Sequence, residues 1–157
     1  MTIIYVGKMK KSTYVEIRQN FVKRIGRFEK IKLIEIKDEQ DPKNLNSKEI
    51  DRILDSEAMQ IKRYIKDSDT VISLVIEGKQ LSSPQLANQL LEWNNHKRGE
   101  LIFIIGSSNG LHSSIKSLSQ YQLSISNMTF PHQLMLIILL EQIYRALTIN
   151  HNITYHK

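Results

Sequence analysis

The 157-residue chain predicts a single α/β domain built on a largely parallel sheet. Three observations carry that reading. Five short apolar segments alternate with five segments whose apolar residues recur at helical spacing, the pattern that packs helices around a parallel sheet. Two of the apolar segments, "TVISLVI" at 70–76 and "LIFIIG" at 101–106, have almost no polar relief, as strands buried on both faces do. The length is that of one ordinary domain, sufficient for a core without covalent staples.

Residues 2–7, "TIIYVG", form the first strand, closed by Gly7. Thr13 and Glu16 stand three places apart, as in a capping box, and open a helix whose Tyr14, Ile17, Phe21, Ile25 and Phe28 share one face. Lys23, Arg24 and Arg27 lie on its opposite side. "IKLIEIK" at 31–37 partly alternates, as a half-buried strand does, and Asp38 to Asn46 is a polar loop. Asn46 or Ser47 caps a second helix with Ile50, Ile53, Leu54, Ala58, Ile61 and Ile65 along one face. After the strand at 70–76, Ser83 and Pro84 pair as N-cap and first-turn residue of a third helix through Trp93. The strand at 101–106 ends in the small polar loop "SSNG". A short helix near 112–119, a strand near 121–125 and a long helix from about His132 to Ile149 complete the chain.

Composition narrows the function. With no cysteine there is neither a disulfide nor a thiolate metal site, and nothing at Met1 reads as a signal peptide, so a reducing cytoplasm is expected. The longest apolar run, Leu134 to Leu140, has seven residues against the roughly 20 needed to cross a bilayer. No membrane span is expected. The formal charge of +6 favours a polyanionic partner, nucleic acid first, because Lys and Arg neutralise phosphates and release counterions.

In parallel sheets the ligand crevice lies beyond the carboxyl ends of the strands, which nominates the residues after Leu74, Ile105 and Ile125. The first strand ends "VGKMKK", so the Gly-x-Gly-x-x-Gly phosphate turn is missing, as is a Walker loop. His112, His132, His151 and His156 crowd the last third, yet none has a carboxylate at metal-ligand spacing, and no metal is expected. Gly106, Ser108 and Gly110 have the spacing of a nucleophile elbow, for which a tight loop of small residues is the simpler account. Lys8, Lys10 and Lys11 beside Tyr14, with Lys23, Arg24 and Arg27, form either a phosphate-binding surface or a solvated face. Glu141 and Arg145, four apart, share a helix face and can pair. The last helix is apolar on every side over two turns, more than one sheet can bury. That predicts a symmetric homodimer, with burial inside one chain as the alternative.

The chain resembles the SPOUT-class ribosomal large-subunit methyltransferase H (RlmH) family. The likeness runs from "IIYVGKMKK" through "VISLVIEGKQLSS" and "FIIGSSNGL" to "LSISNMTFPHQLM", "LLEQIYRA" and the ending "YHK". It implies a homodimer that uses S-adenosylmethionine to methylate N3 of a pseudouridine in 23S rRNA, and a single SPOUT domain whose C-terminal segment is threaded into a trefoil knot. Carried over residue by residue, it implies a cofactor site of Leu74, Gly106, Ile125, Ser126, Asn127, Met128, Thr129 and Phe130. Transfer from a sulfonium is an in-line displacement, so the protein must align donor and acceptor and assist loss of the N3 proton. His132 is a candidate base, and Arg145, paired with Glu141, is the stronger candidate for stabilising the anion. The resemblance makes Tyr155, His156 and Lys157 a tail that completes the RNA site across the dimer, Tyr155 stacking on a base and Lys157 holding phosphate.

Three positions depart from the family pattern. Ser107 stands where a second glycine is usual, Leu136 where an arginine is usual, and "INHNIT" where the segment before the tail commonly has Arg-Gly. The resemblance as a whole makes the methyltransferase itself the expected function. The alternatives are a diverged paralogue that binds cofactor or rRNA with little transfer, or an enzyme acting on another RNA site.

Overall fold

The computed structural model describes residues 1–38 and 46–156. Its strands are β1 (Thr2–Val6), β2 (Lys32–Ile36), β3 (Thr70–Gln80), β4 (Leu101–Ile105) and β5 (Tyr121–Ser124). Its helices are α1 (Ser12–Ile25), α2 (Ser47–Lys62), α3 (Ser83–His96), α4 (Ser113–Leu118) and α5 (His132–Asn150). The strands form one sheet in the order β2-β1-β4-β3-β5, and every neighbouring pair is parallel. The predicted α/β class and the alternation of elements are those observed.

Strand alternation divides the core into two layers. Ile3, Tyr5, Phe103 and Ile105 face the side packed by α1, α3 and α5, whereas Ile4, Val6, Ile102 and Ile104 face α2 and α4. β4 is buried along its whole length, as its apolar run predicts. β3 is not. Only Val71, Ile72 and Ser73 are fully buried, Ile76 is exposed, and the strand continues to Gln80. Leu74 and Lys79 both pair with Leu123, so Val75 to Gly78 make an excursion from the ladder. Gly78 passes so close to β5 that an added Cβ would lie 2.7 Å from the Leu123 carbonyl carbon.

Three helix starts refine the sequence expectations. The Thr13–Glu16 box does not form: α1 begins at Ser12, with Lys11 in the N-cap position and no side-chain cap. Met9 is buried just before it, and the short connection from Gly7 brings the chain into the helix two residues early. Asn46 caps α2 through a full box, its Oδ1 accepting from the Lys48 and Glu49 amides at 3.0 Å while Glu49 accepts from the Asn46 amide at 2.8 Å. α3 is capped by Ser82 with Gln85, not by Ser83, whose hydroxyl donates to Gln142 on α5 at 2.8 Å.

α5 packs against α1 and α3. Leu136, Ile137, Leu139, Leu140, Ile143, Ala146 and Leu147 are all buried within the single chain. The two flanking helices therefore supply most of the cover that the sequence assigned to a second subunit, and Leu134, Met135 and Ile138 keep partial exposure. Leu136 is fully buried in this core, so the position does not present its side chain to solvent, RNA or partner in this chain. Among the described residues, no helix is long and apolar enough to cross a membrane.

Candidate functional site

A cleft of about 420 Å³ opens at the carboxyl ends of β3, β4 and β5, where the parallel-sheet rule places ligands. Three segments build it: Leu74 to Glu77 from the β3 excursion, Gly106 to Leu111 after β4, and the loop between β5 and α5. Of the eight residues expected to hold a cofactor, Leu74, Gly106, Ile125, Ser126, Met128, Thr129 and Phe130 line it. Asn127 does not; its Oδ1 accepts from Gln80 Nε2 at 2.6 Å and ties the loop to the end of β3. The loop is ordered from within. Ser124 Oγ donates to the Ser126 carbonyl at 3.1 Å, and Ser126 Oγ accepts from the Met128 amide at 3.1 Å.

Gly106 has a steric reason to be glycine: a Cβ there would sit 2.1 Å from the Gly110 carbonyl oxygen. The Gly110 amide in turn donates to the Ser107 carbonyl at 3.1 Å, and Gly110 adopts φ +90°. "GSSNG" is thus a closed turn that walls the cleft, with α4 starting only at Ser113, and not a strand-to-helix elbow presenting Ser108.

His132 lines the cleft at the first residue of α5. Its ring packs over Gly7, where a Cβ would lie 2.8 Å from Nε2 and where φ is +96°. Next to it, Gln133 Oε1 accepts from the Lys10 amide at 3.3 Å. The β1–α1 connection, with exposed Lys8, Lys10 and Lys11, is thereby fastened beside the cleft. Lys11 Nζ is 5.6 Å from the Tyr14 ring centre. One ion pair also lines the cleft, Lys116 Nζ to Glu77 Oε1 at 2.5 Å, and the hydrogen bond from Lys116 holds the Glu77 carboxyl below its ordinary range. Sequence reasoning missed this pair, since no local pattern links residues 39 apart.

The remaining candidates meet elsewhere. Arg145 Nε donates to Glu141 Oε1 at 3.0 Å, the pairing that four-residue spacing predicts. That bond is the main reason the guanidinium pKa rises above its already high value. Tyr155 donates its hydroxyl to the same Glu141 oxygen at 3.2 Å, and Arg145 Nη1 lies 3.3 Å from His156 Nδ1. The fold-back that allows this is a Schellman turn. Asn152, at φ +54°, donates its amide to Ile149 at 3.1 Å, and Ile153 donates to Thr148 at 2.9 Å. Lys23 and Arg27 are exposed near the end of α1, and Arg24 is half-buried between them. Lys157 lies outside the described residues. His132 and Arg145 are 13 positions apart on α5, about 20 Å at 1.5 Å per residue. Within one chain, then, the fold does not bring the two candidate groups together. Among the described residues no group of three or more metal-ligating side chains is assembled.

Comparison with known proteins agrees with this architecture. The family described as "Predicted SPOUT methyltransferase" matches residues 1–156, so the chain belongs to the SPOUT methyltransferase family. Members of that family use S-adenosylmethionine as a rule and commonly act on RNA. Among solved structures, a probable methylase family protein from Haemophilus influenzae Rd KW20 shares the fold, with a TM-score of 0.58 and 12% identity over 99% of this chain and 70% of that one.

Proposed function

We propose, from membership in the SPOUT methyltransferase family, that this protein methylates N3 of a pseudouridine in 23S rRNA as a cytoplasmic homodimer. One observation carries the reading: seven of the eight residues that the resemblance to the RlmH family gives to the cofactor converge on one cleft at the strand ends.

The cleft fits S-adenosylmethionine in size, since ligand pockets run from about 300 to 1,000 Å³. It fits in chemistry too, with apolar walls from Leu74, Ile105 and Ile125 beside main-chain groups of the 125–130 loop. When bound, the cofactor supplies an electrophilic methyl group. The chain has to orient the acceptor, exclude water and manage the N3 proton. His132, which lines the cleft wall, would accept that proton. Arg145 is suited to stabilising the resulting anion, with Glu141 and Tyr155 fixing the guanidinium.

The roughly 20 Å between His132 and Arg145 supports the dimer. A two-fold arrangement can set the Arg145, Tyr155 and His156 cluster of one copy against the cleft of the other, and the partly exposed Leu134 and Ile138 offer apolar surface for that contact. The exposed Lys8, Lys10 and Lys11 beside the cleft, with Lys23, Arg27 and Lys157, would hold rRNA phosphates. The trefoil knot is part of the proposal. Leu123 opposite both Leu74 and Lys79, with Gly78 against the β5 backbone, supports a last segment enclosed by the β3 excursion.

A second reading has one observation in its favour. Ser107 stands in the cleft wall where the family commonly has glycine, and its added side chain would crowd the cofactor, which suits a protein that binds cofactor or rRNA but transfers poorly. Mass spectrometry of 23S rRNA from cells lacking the ordinary enzyme, with and without this protein, separates the readings. Restored N3-methylpseudouridine supports the first. Calorimetric cofactor binding without restoration supports the second, and methylation at a different nucleotide replaces the substrate assignment. A folded protein that binds neither cofactor nor rRNA rejects all three.

A further inference from the structure

We propose that Arg24 is a positioning residue that clamps the C-terminal tail onto α5, and not a phosphate contact. The functional part of this inference rests on the tail's assignment to the methyl-acceptor site.

Arg24 differs from its basic neighbours. Lys23 and Arg27 are exposed, while Arg24 is half-buried with its guanidinium carbon 3.9 Å from the Tyr144 ring centre, 5.5 Å from Phe21 and 5.0 Å from Tyr155. Tyr144 meets Tyr155 edge-on at 4.8 Å, and Arg145 lies over the Tyr155 ring at 4.8 Å. Two guanidinium groups from different helices thus hold one tail ring. Among the described residues no carboxylate forms an ion pair with Arg24, so aromatic rings are what receive its charge.

The tail depends on that ring. Of residues 151–156 only Tyr155 is partly buried; the others are exposed. The Schellman turn aims the chain back along α5, but a turn alone leaves the segment beyond it free to swing. Tyr155 and its contacts hold the segment down, and through the shared Glu141 oxygen they also set the Arg145 guanidinium. A planar guanidinium can lie over an aromatic face while its edge reaches a neighbouring ring, which a lysine ammonium does less well.

The test combines hydrogen exchange with kinetics on the full chain. In Arg24→Ala, exchange of the Asn152 and Ile153 amides, whose hydrogen bonds close the turn, should rise about 3- to 30-fold, the range expected for loss of a cation–π contact. The kcat/KM for an rRNA fragment should fall about tenfold, with cofactor affinity and the salt dependence of RNA binding unchanged. In a Tyr155→Ala background the same substitution should add nothing, and Arg24→Lys should recover part of the loss. Unchanged tail exchange would overturn the clamp. So would a salt slope shallower by about one, with effects additive to those of Tyr155→Ala, because that is the signature of a lost phosphate contact. Should Arg24→Ala fail to fold, Arg24→Lys and Arg24→Gln carry the same comparison. If no RNA is methylated by any form, the exchange measurement still decides the clamp, and only the substrate reading fails.

Discussion

The two ends of α5 are built by different means. At its start the cleft is made mostly of main chain: strand ends, the closed Gly106–Gly110 turn and a loop tied by Ser124, Ser126 and Asn127. At its end the cluster is made of side chains, two guanidinium groups, a carboxylate and tyrosines, gathered from α1, α5 and the tail. A backbone-lined cleft suits one small ligand of fixed shape, whereas a cationic and aromatic surface suits a large anionic partner. On the proposed function, separating the two along one helix would mean that a complete site needs two chains.

The strongest way to break this comparison is Arg145→Ala. Turnover should fall by about 10² to 10³, the scale of removing one preorganised anion stabiliser, while calorimetric cofactor affinity stays within about twofold. An equal loss of both would place Arg145 in the cleft after all. Next comes complementation. Gly106→Ala and Arg145→Ala chains, each deficient alone at limiting cofactor, should regain about a quarter of wild-type activity when co-refolded at equal amounts, since half the dimers are mixed and each has one good site. Activity no higher than either parent would show that a site is completed within one chain.

Gly106→Ala by itself should weaken cofactor binding at least tenfold and destabilise the fold by about 1–3 kcal/mol in denaturant titrations, because its Cβ cannot coexist with the Gly110 carbonyl. Methyl transfer should be limited by cofactor concentration, unlike in the Arg145 variant. The smallest effect concerns the Glu77–Lys116 pair. The Glu77 pKa is lowered, so its contribution is fully present above the ordinary carboxylate value and disappears as pH falls through the lowered one. Glu77→Gln should therefore lower Tm at pH 7, with the gap to wild type closing in acid. Glu77 is exposed and Lys116 partly so, and the difference should not exceed about 1 kcal/mol.

Most of the cleft was legible because it consists of short contiguous segments following apolar strands. Strand ends alone nominated the residues after Leu74, Ile105 and Ile125, the family resemblance named Leu74, Gly106 and the 125–130 loop there, and all of those but Asn127 line the cavity. The Glu141–Arg145 pair was legible for a similar reason, lying on one helical face. Arg24 was not. Its spacing puts it with Lys23 and Arg27, and only the packing of α1 on α5 turns it toward Tyr144 and Tyr155.

The sequence by itself determined the elements, their order, the parallel sheet and the edge at which the cleft opens, because periodicity and apolar runs are properties of each segment alone. Tertiary structure decided what covers each face. It buried Leu136, sheltered α5 with α1 and α3, and bent β3 out of register at Val75. It also joined Glu77 to Lys116 and placed the candidate groups at opposite ends of one helix. Those outcomes depend on contacts between residues distant along the chain, and no local repeat encodes which distant surface will arrive.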